Sequence, residues 1–296
     1  TAQGDILKIV MPYKIIVPEG YDIMYSDPFY HFRNDVPEPR VLINDEFWFD
    51  YDTNIDMDNL ECYINMSTFF TPGPAALFPT VQSHYMEAFR LNLGSISHRS
   101  AAFRKIYQHA DEQLRELFAL PKSHAVLFTG SATEVWERIL MNTVEHESFH
   151  LVNGSFSKKF FDFSKDLHKF ANSMHKPFGE GFDAAEVEVP EYAELICCTA
   201  NETSSGVQMK ASEIHKIKKA NKDKFVAVDM VSSAPYPNLD FGLVDSAFFS
   251  VQKSFGMPAG LGVWFANEAM LEKSERMKKH EGIVGTYHSL PSLWEN

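Results

Sequence analysis

Phe225-Val226-Ala227-Val228-Asp229 and Ala247-Phe248-Phe249-Ser250-Val251-Gln252-Lys253 are short apolar runs of strand length, and each closes on a charged side chain. Runs that are apolar at nearly every position, rather than at alternate ones, are those of strands covered on both faces. Two more lie upstream, His124 to Phe128 and Leu195 to Thr199. Stretches of helical character stand around them: Ser97 to Leu120, with Phe103, Ile106, Ala110, Leu114 and Leu117 at helical spacing, then Glu134 to Asn142, Lys158 to Phe170, Ala211 to Asn221 and Glu268 to Lys279. Strands alternating with helices predict an α/β domain on a mostly parallel central sheet flanked by helices. In such domains the functional groups sit on loops at the carboxyl ends of the strands.

Followed to their ends, the two opening runs deliver Asp229 and Lys253. If the strands are close in the sheet, a carboxylate and an amine face one pocket. Desolvation lowers the pKa of a lysine on an apolar strand, and a neutral amine is what Schiff-base chemistry requires. Pyridoxal phosphate needs both groups: Lys253 would hold it as an imine, and Asp229 would keep its pyridine nitrogen protonated so that the ring acts as an electron sink. A structural Lys–Asp ion pair at a sheet end satisfies the same spacing. A third element fits the cofactor. Val126-Leu127-Phe128 runs into Thr129-Gly130-Ser131-Ala132-Thr133-Glu134, a tight small-residue turn opening a helix. Unpaired N–H groups and the helix dipole there form an anion site suited to a phosphate, although Ser or Thr capping a helix is commonplace.

Together with these, Thr71-Pro72-Gly73-Pro74-Ala75, Ser97-His98-Arg99-Ser100, Asn201-Glu202-Thr203 with Ser204-Ser205-Gly206-Val207, Asp229-Met230-Val231-Ser232-Ser233, Gln252-Lys253 and Thr286-Tyr287-His288-Ser289 resemble the phosphoserine aminotransferases of class V, from about Phe69 to Ser292. The resemblance implies a fold-type I pyridoxal-phosphate-dependent transferase large domain, with Lys253 as the Schiff-base lysine and Asp229 as the pyridinium partner. By the same resemblance Thr203 bonds the ring oxygen, Ala132, Thr133 and Gln252 bind the cofactor phosphate, and Phe156 takes the ring-stacking position usually held by Trp. His288 and Ser289 reach the phosphate of the neighbouring subunit, which implies a homodimer. His98 and Arg99 correspond to residues that recognise the anionic side chain of the substrate, where a planar guanidinium can grip a phosphate. The implied reaction is transamination of 3-phosphohydroxypyruvate by glutamate, in serine biosynthesis. Thr133 stands where many members carry a basic residue or Cys. The family's small carboxyl-terminal domain, which supplies an arginine for the substrate α-carboxylate, is expected to be missing after Asn296. Two other activities suit the same fold: alanine–glyoxylate transamination, and cysteine desulfuration, which Phe156 disfavours because desulfurases carry His there. A non-catalytic cofactor-binding remnant is the rival from another class.

The 296 residues, 45% hydrophobic and 23% charged, exclude a disordered or fibrous chain. A net charge of −13 argues against nucleic acid and anionic membranes as partners. Residues 1–65 hold 13 acidic and 4 basic side chains. That segment, with strand-like pieces Lys14 to Val17 and Glu46 to Phe49, reads as an unrelated acidic β-rich unit joined to an aminotransferase domain over 66–296. Three cysteines, Cys62, Cys197 and Cys198, make no disulfide framework, and no run reaches membrane-span length. A cytoplasmic protein is expected. His146-Glu147-Ser148-Phe149-His150 spells a zinc-peptidase pattern, but it leads into strand-like sequence rather than helix, and no metal is expected. Asp240-Phe241-Gly242 lacks the partner motifs of a kinase, and sequons at Asn65, Asn153 and Asn201 mean little without a secretory signal.

Overall fold

The computed structural model describes four short strands within the first 50 residues, together with residues 73–280 and 284–295. The chain divides into two compact units, Thr1–Phe69 and Phe70–Asn296. The first contains β1 (Lys8–Ile9), β2 (Ile23–Tyr25), β3 (Arg40–Ile43) and β4 (Phe47–Asp50). They form a sheet in the order β1-β3-β4-β2. Strand β4 overlaps the expected piece at Glu46 to Phe49, while Lys14 to Val17, Cys62, Asn65, Thr71 and Pro72 lie outside the described residues.

The second unit runs through α1 (Thr80–Arg90), α2 (Ala101–Phe118), β5 (His124–Thr129), α3 (Ala132–Thr143), β6 (Glu147–Val152), α4 (Ser155–Asp166) and β7 (Phe170–His175). It continues through β8 (Ala193–Thr199), β9 (Asn201–Glu202), β10 (Val207–Gln208), α5 (Ala211–Ala220), β11 (Phe225–Asp229), β12 (Ser246–Ser250), β13 (Gly262–Asn267), α6 (Glu268–Lys279) and α7 (Leu290–Trp294). Seven strands make the central sheet, in the order β5-β13-β12-β11-β8-β6-β7. Only β13 runs against its neighbours, so the sheet is mostly parallel as the alternating pattern predicts.

Alternation of side chains along each strand divides the apolar runs between two cores. Val126, Cys198, Val226, Val228, Phe249 and Phe265 pack with Phe118 of α2 and with Ile214 and Ile217 of α5. Leu127, Cys197, Ala227, Phe248 and Trp264 pack on the other face with Val135 and Ile139 of α3, Phe160 of α4 and Met270 of α6. Both cysteines are therefore buried core residues, and burial pushes their thiols up, Cys198 to about 12.

One local outcome differs from the sequence reading. The helix expected to reach Phe170 stops at Asp166, because His168 turns into the left-handed region (φ 56°) and Lys169 N–H closes on the Ser164 carbonyl at 3.0 Å. Phe170 then begins an edge strand. The zinc-peptidase spelling falls on β6, where His150 is buried, its Nε2 2.9 Å from the Ser148 hydroxyl, and burial holds it neutral with a pKa of about 3. No cluster of metal-ligating side chains occurs among the described residues.

Candidate functional site

Strands β11 and β12 are parallel neighbours, with Asp229 in register with Phe248. Asp229 ends β11, and Lys253 follows β12 by three residues, so both groups emerge at the same carboxyl edge. Their charges interact: the Lys253 ammonium favours the ionised form of Asp229.

Asp229 is held from two sides. Its Oδ1 accepts the Val231 backbone N–H at 2.9 Å, and its Oδ2 accepts the Trp136 indole N–H at 3.1 Å. Trp136 lies on the inward face of α3 and stacks on Phe160 at 5.4 Å. Even so, burial dominates and pushes the Asp229 pKa up to about 6; the two hydrogen bonds and Lys253 pull it down, and the nearby Glu202 charge pushes it up. A protonated ring nitrogen beside this carboxylate would offset the cost of its burial.

Lys253 is packed against Gly73. A Cβ on Gly73 would overlap the lysine Nζ, Cε and Cδ atoms, and the backbone there (φ 144°) also favours glycine. The segment after Gly73 is tied to the lysine loop by Ala75 N–H to the Gln252 carbonyl (2.7 Å) and Phe78 N–H to the Gly256 carbonyl (2.9 Å).

The turn Thr129-Gly130-Ser131 lies over the start of β13, close enough that a Cβ on Gly262 would collide with the Thr129 hydroxyl and the Ser131 carbonyl. Ser131 caps α3 by accepting Glu134 N–H at 3.1 Å. Thr133 is exposed at this helix start. Ala132 N–H, however, donates to the Ser250 hydroxyl at 3.1 Å, so this amide is already engaged. Glu134 is fixed locally, accepting Gly130 N–H at 2.9 Å and Arg138 Nε–H at 2.7 Å.

The remaining expected residues divide. Thr203 donates to the Ser232 hydroxyl at 2.8 Å, which leaves its lone pairs to accept from a ring hydroxyl. Phe156, in the first turn of α4, is exposed as a stacking face must be. The buried Gln252 side-chain oxygen has no partner in the fold. Rotating the amide would turn its NH₂ towards the same place.

His288 sits in a loop bound to α3, where Asn142 Nδ2–H donates to its carbonyl at 2.9 Å and Arg138 lies 5.8 Å from the Tyr287 ring centre. Ser289 is different: it is fully buried at the start of α7 and its hydroxyl has no partner. As placed, the Ser289 hydroxyl is enclosed by the fold, whereas His288 is partly exposed. His98 and Arg99 are exposed on the turn before α2, and neither is among the groups that touch or electrostatically perturb Asp229.

The donor set therefore fits pyridoxal phosphate. It comprises an amine against a glycine cradle, a buried carboxylate, a helix start with an exposed Thr133, an unpartnered Gln252 amide oxygen and an exposed aromatic face. Trp136, Ser250 and the Gly73 contact were missed in the sequence. Trp136 shares the inward helical spacing of Val135 and Ile139, and only tertiary pairing shows that its N–H reaches Asp229.

Comparison with known proteins agrees with this geometry. Residues 180–289 match the pattern of the aminotransferase class-V family. Over 231 residues the chain is 27% identical to a phosphoserine aminotransferase of Corynebacterium glutamicum, covering 77% of this chain and 59% of that one. A solved phosphoserine aminotransferase from Cytophaga hutchinsonii superposes with a TM-score of 0.75 at 50% identity, over 76% of this chain and 63% of that chain. A phosphoserine aminotransferase from Trichomonas vaginalis, solved with pyridoxal phosphate bound, superposes with a TM-score of 0.58 at 23% identity, over 75% and 66% of the two chains. The chain thus spans about 60% of the length of the first two relatives.

Proposed function

We propose that this chain, whose residues 180–289 belong to the aminotransferase class-V family, carries a pyridoxal-phosphate site for transamination. Its most specific reading is the exchange of an amino group between glutamate and 3-phosphohydroxypyruvate. The single observation that carries the proposal is the convergence of Lys253 and Asp229 at one edge of adjacent parallel strands.

Lys253 would hold the cofactor aldehyde, and Gly73 keeps the space around its amine open. Asp229 would hold a proton on the ring nitrogen, its carboxylate oriented by Trp136 and Val231. Phe156 would cover one face of the ring, Thr203 would accept from its hydroxyl, and Thr133 and Gln252 would bind the phosphate. When bound, the cofactor supplies an electron sink for the carbanion formed at the substrate Cα. Once displaced by the amino substrate, the Lys253 amine is the group placed to take and return the Cα proton.

The same reading includes a homodimer, which the exposed apolar side chains near α1 and α2 support. Phe78, Tyr85, Met86 and Phe89 in and before α1 are exposed, as are Phe103 and Ile106 of α2. A second copy covering that face would bury apolar area that costs free energy in water. It would also cover the turn that carries His98 and Arg99, so those side chains would serve the partner's site. No helix among the described residues is long and apolar enough to cross a membrane, which is compatible with a cytoplasmic location.

Absorbance titration of the cofactor-loaded chain, with glutamate and with phosphoserine on separate samples, tests the proposal. Both should convert the bound cofactor to its amine form, with loss of the visible band. An unchanged spectrum with both donors refutes transamination for this chain.

A further inference from the structure

Glu202 is the fully buried carboxylate of β9, and its neighbours all belong to one structural joint. Its Oε2 accepts from the Ser157 backbone N–H and from the Ser157 hydroxyl, both at 2.8 Å. Its Oε1 accepts from the Ser204 hydroxyl at 2.7 Å, the Ser204 N–H at 3.2 Å and the Phe156 N–H at 3.4 Å. Ser204 in turn takes the Ser155 N–H at 2.7 Å. The first three amides of α4 are thus satisfied by the 202–204 segment.

The N-cap of helix α4 is Gly154, which has no side chain to accept from the first-turn amides; within the helix Ser157 Oγ accepts only the Gly154 and Asn153 N–H groups, each at 3.1 Å. Glu202 takes that place from across the fold: a Cβ on Gly154 would collide with Glu202 Cγ and Cδ and with the Ser204 hydroxyl. A carboxylate at a helix start also complements the helix dipole. Burial alone would raise the Glu202 pKa, but its hydrogen bonds from Ser157 and Ser204 outweigh that and hold it below the usual carboxylate range. The carboxylate therefore stays charged at neutral pH. Thr203 lies between Glu202 and Ser204, so the same short segment places the residue assigned to the ring oxygen and the helix turn assigned to the ring face.

We propose that Glu202 is a positioning residue. Its carboxylate clamps the first turn of α4 so that Phe156 covers the cofactor ring, while the adjacent Thr203 is held at the ring edge. This rests on the reading of the site given above.

Two variants of the full, cofactor-loaded chain test it. Glu202→Gln removes the charge and turns one acceptor into a donor. Gly154→Ala leaves the charge in place but displaces it, and the Gly154 backbone (φ −177°) accepts alanine without strain. Three readouts apply: the dissociation constant of pyridoxal phosphate, the visible circular dichroism per bound cofactor, and hydrogen exchange of the Phe156 and Ser157 amides. In both variants the two amides should exchange at least about tenfold faster and the dissociation constant should rise about tenfold, the effect of one charge-assisted hydrogen bond. The dichroism should fall and the Lys253-linked absorbance should remain.

A purely structural cap would alter exchange and melting temperature but leave the dichroism per bound cofactor unchanged, and that result overturns the proposal. If Glu202→Gln does not fold, Gly154→Ala decides the question alone. A wild-type chain that takes up no cofactor overturns the reading of the site and this inference with it. Normal uptake with wild-type exchange and dichroism in the variants overturns only the role of Glu202.

Discussion

Replacing Asp229 by Asn should change how the stability of the apoprotein depends on pH, and the sign follows from burial. An unfolded aspartate titrates near 3.8, whereas Asp229 in the fold titrates at about 6. The native state thus binds its proton more tightly than the unfolded state does. The associated stability is fully present below pH 3.8 and is lost as pH rises through 6. A difference of about two units corresponds to about 3 kcal/mol, of which about 2.5 kcal/mol falls between pH 4 and pH 7.5. Asparagine does not titrate. It keeps an oxygen for Val231 N–H, but it either loses the acceptor for the Trp136 indole N–H or turns an NH₂ towards it, a cost of about 1–3 kcal/mol at every pH. The variant should therefore be less stable than wild type at pH 4 and equal to it or more stable at pH 7.5. Urea unfolding of both apoproteins, followed by far-ultraviolet circular dichroism across this range, gives the difference curve. A slope of about 2.5 kcal/mol in favour of the variant is expected. A flat difference would mean that burial does not raise the cost of ionising Asp229. Saturating pyridoxal phosphate should reduce the slope in wild type, because the protonated ring nitrogen offsets the cost of ionising the carboxylate.

Other expectations follow from individual contacts. Trp136→Phe preserves stacking on Phe160 but removes the donor to Asp229; the cost should be about 1–3 kcal/mol above pH 6 and smaller at pH 4, measured by the same unfolding curves. Gly73→Ala places a methyl group against the Lys253 amine and strains the backbone. It should weaken cofactor binding at least about tenfold, more than 1.4 kcal/mol, with little loss of secondary structure, as fluorescence titration and circular dichroism would show. Phe248→Ala opens a cavity between the sheet and Phe160, and should lower unfolding free energy by about 3–5 kcal/mol.

Much of the domain was legible because its local and long-range requirements agree. The runs at Phe225 and Ala247 are apolar on consecutive positions, which only a sheet covered on both faces explains, and the two cores divide them residue by residue. The charged ends of those runs lie at one edge of the parallel sheet, where the proposed site is placed. What escaped was set by tertiary pairing. Strand β13 (Gly262–Asn267) was not among the runs read as strands, and its antiparallel direction against both β5 and β12 leaves no mark on composition. The premature stop of α4 depends on His168 adopting a positive φ, which a histidine does not announce. Ser289 belongs to a motif whose neighbour His288 is partly exposed, yet one residue further the chain turns inward to start α7. Glu202 belongs to the Asn201-Glu202-Thr203 motif, but its proposed role depends on Gly154, 48 positions away, lacking a side chain.

The most direct measurement is borohydride reduction of the full chain mixed with pyridoxal phosphate, followed by peptide mass mapping. The account predicts one stoichiometric pyridoxyl adduct, on the peptide containing Lys253, and its disappearance in Lys253→Ala. Stoichiometric labelling of a different lysine, or no labelling at saturating cofactor, would contradict it.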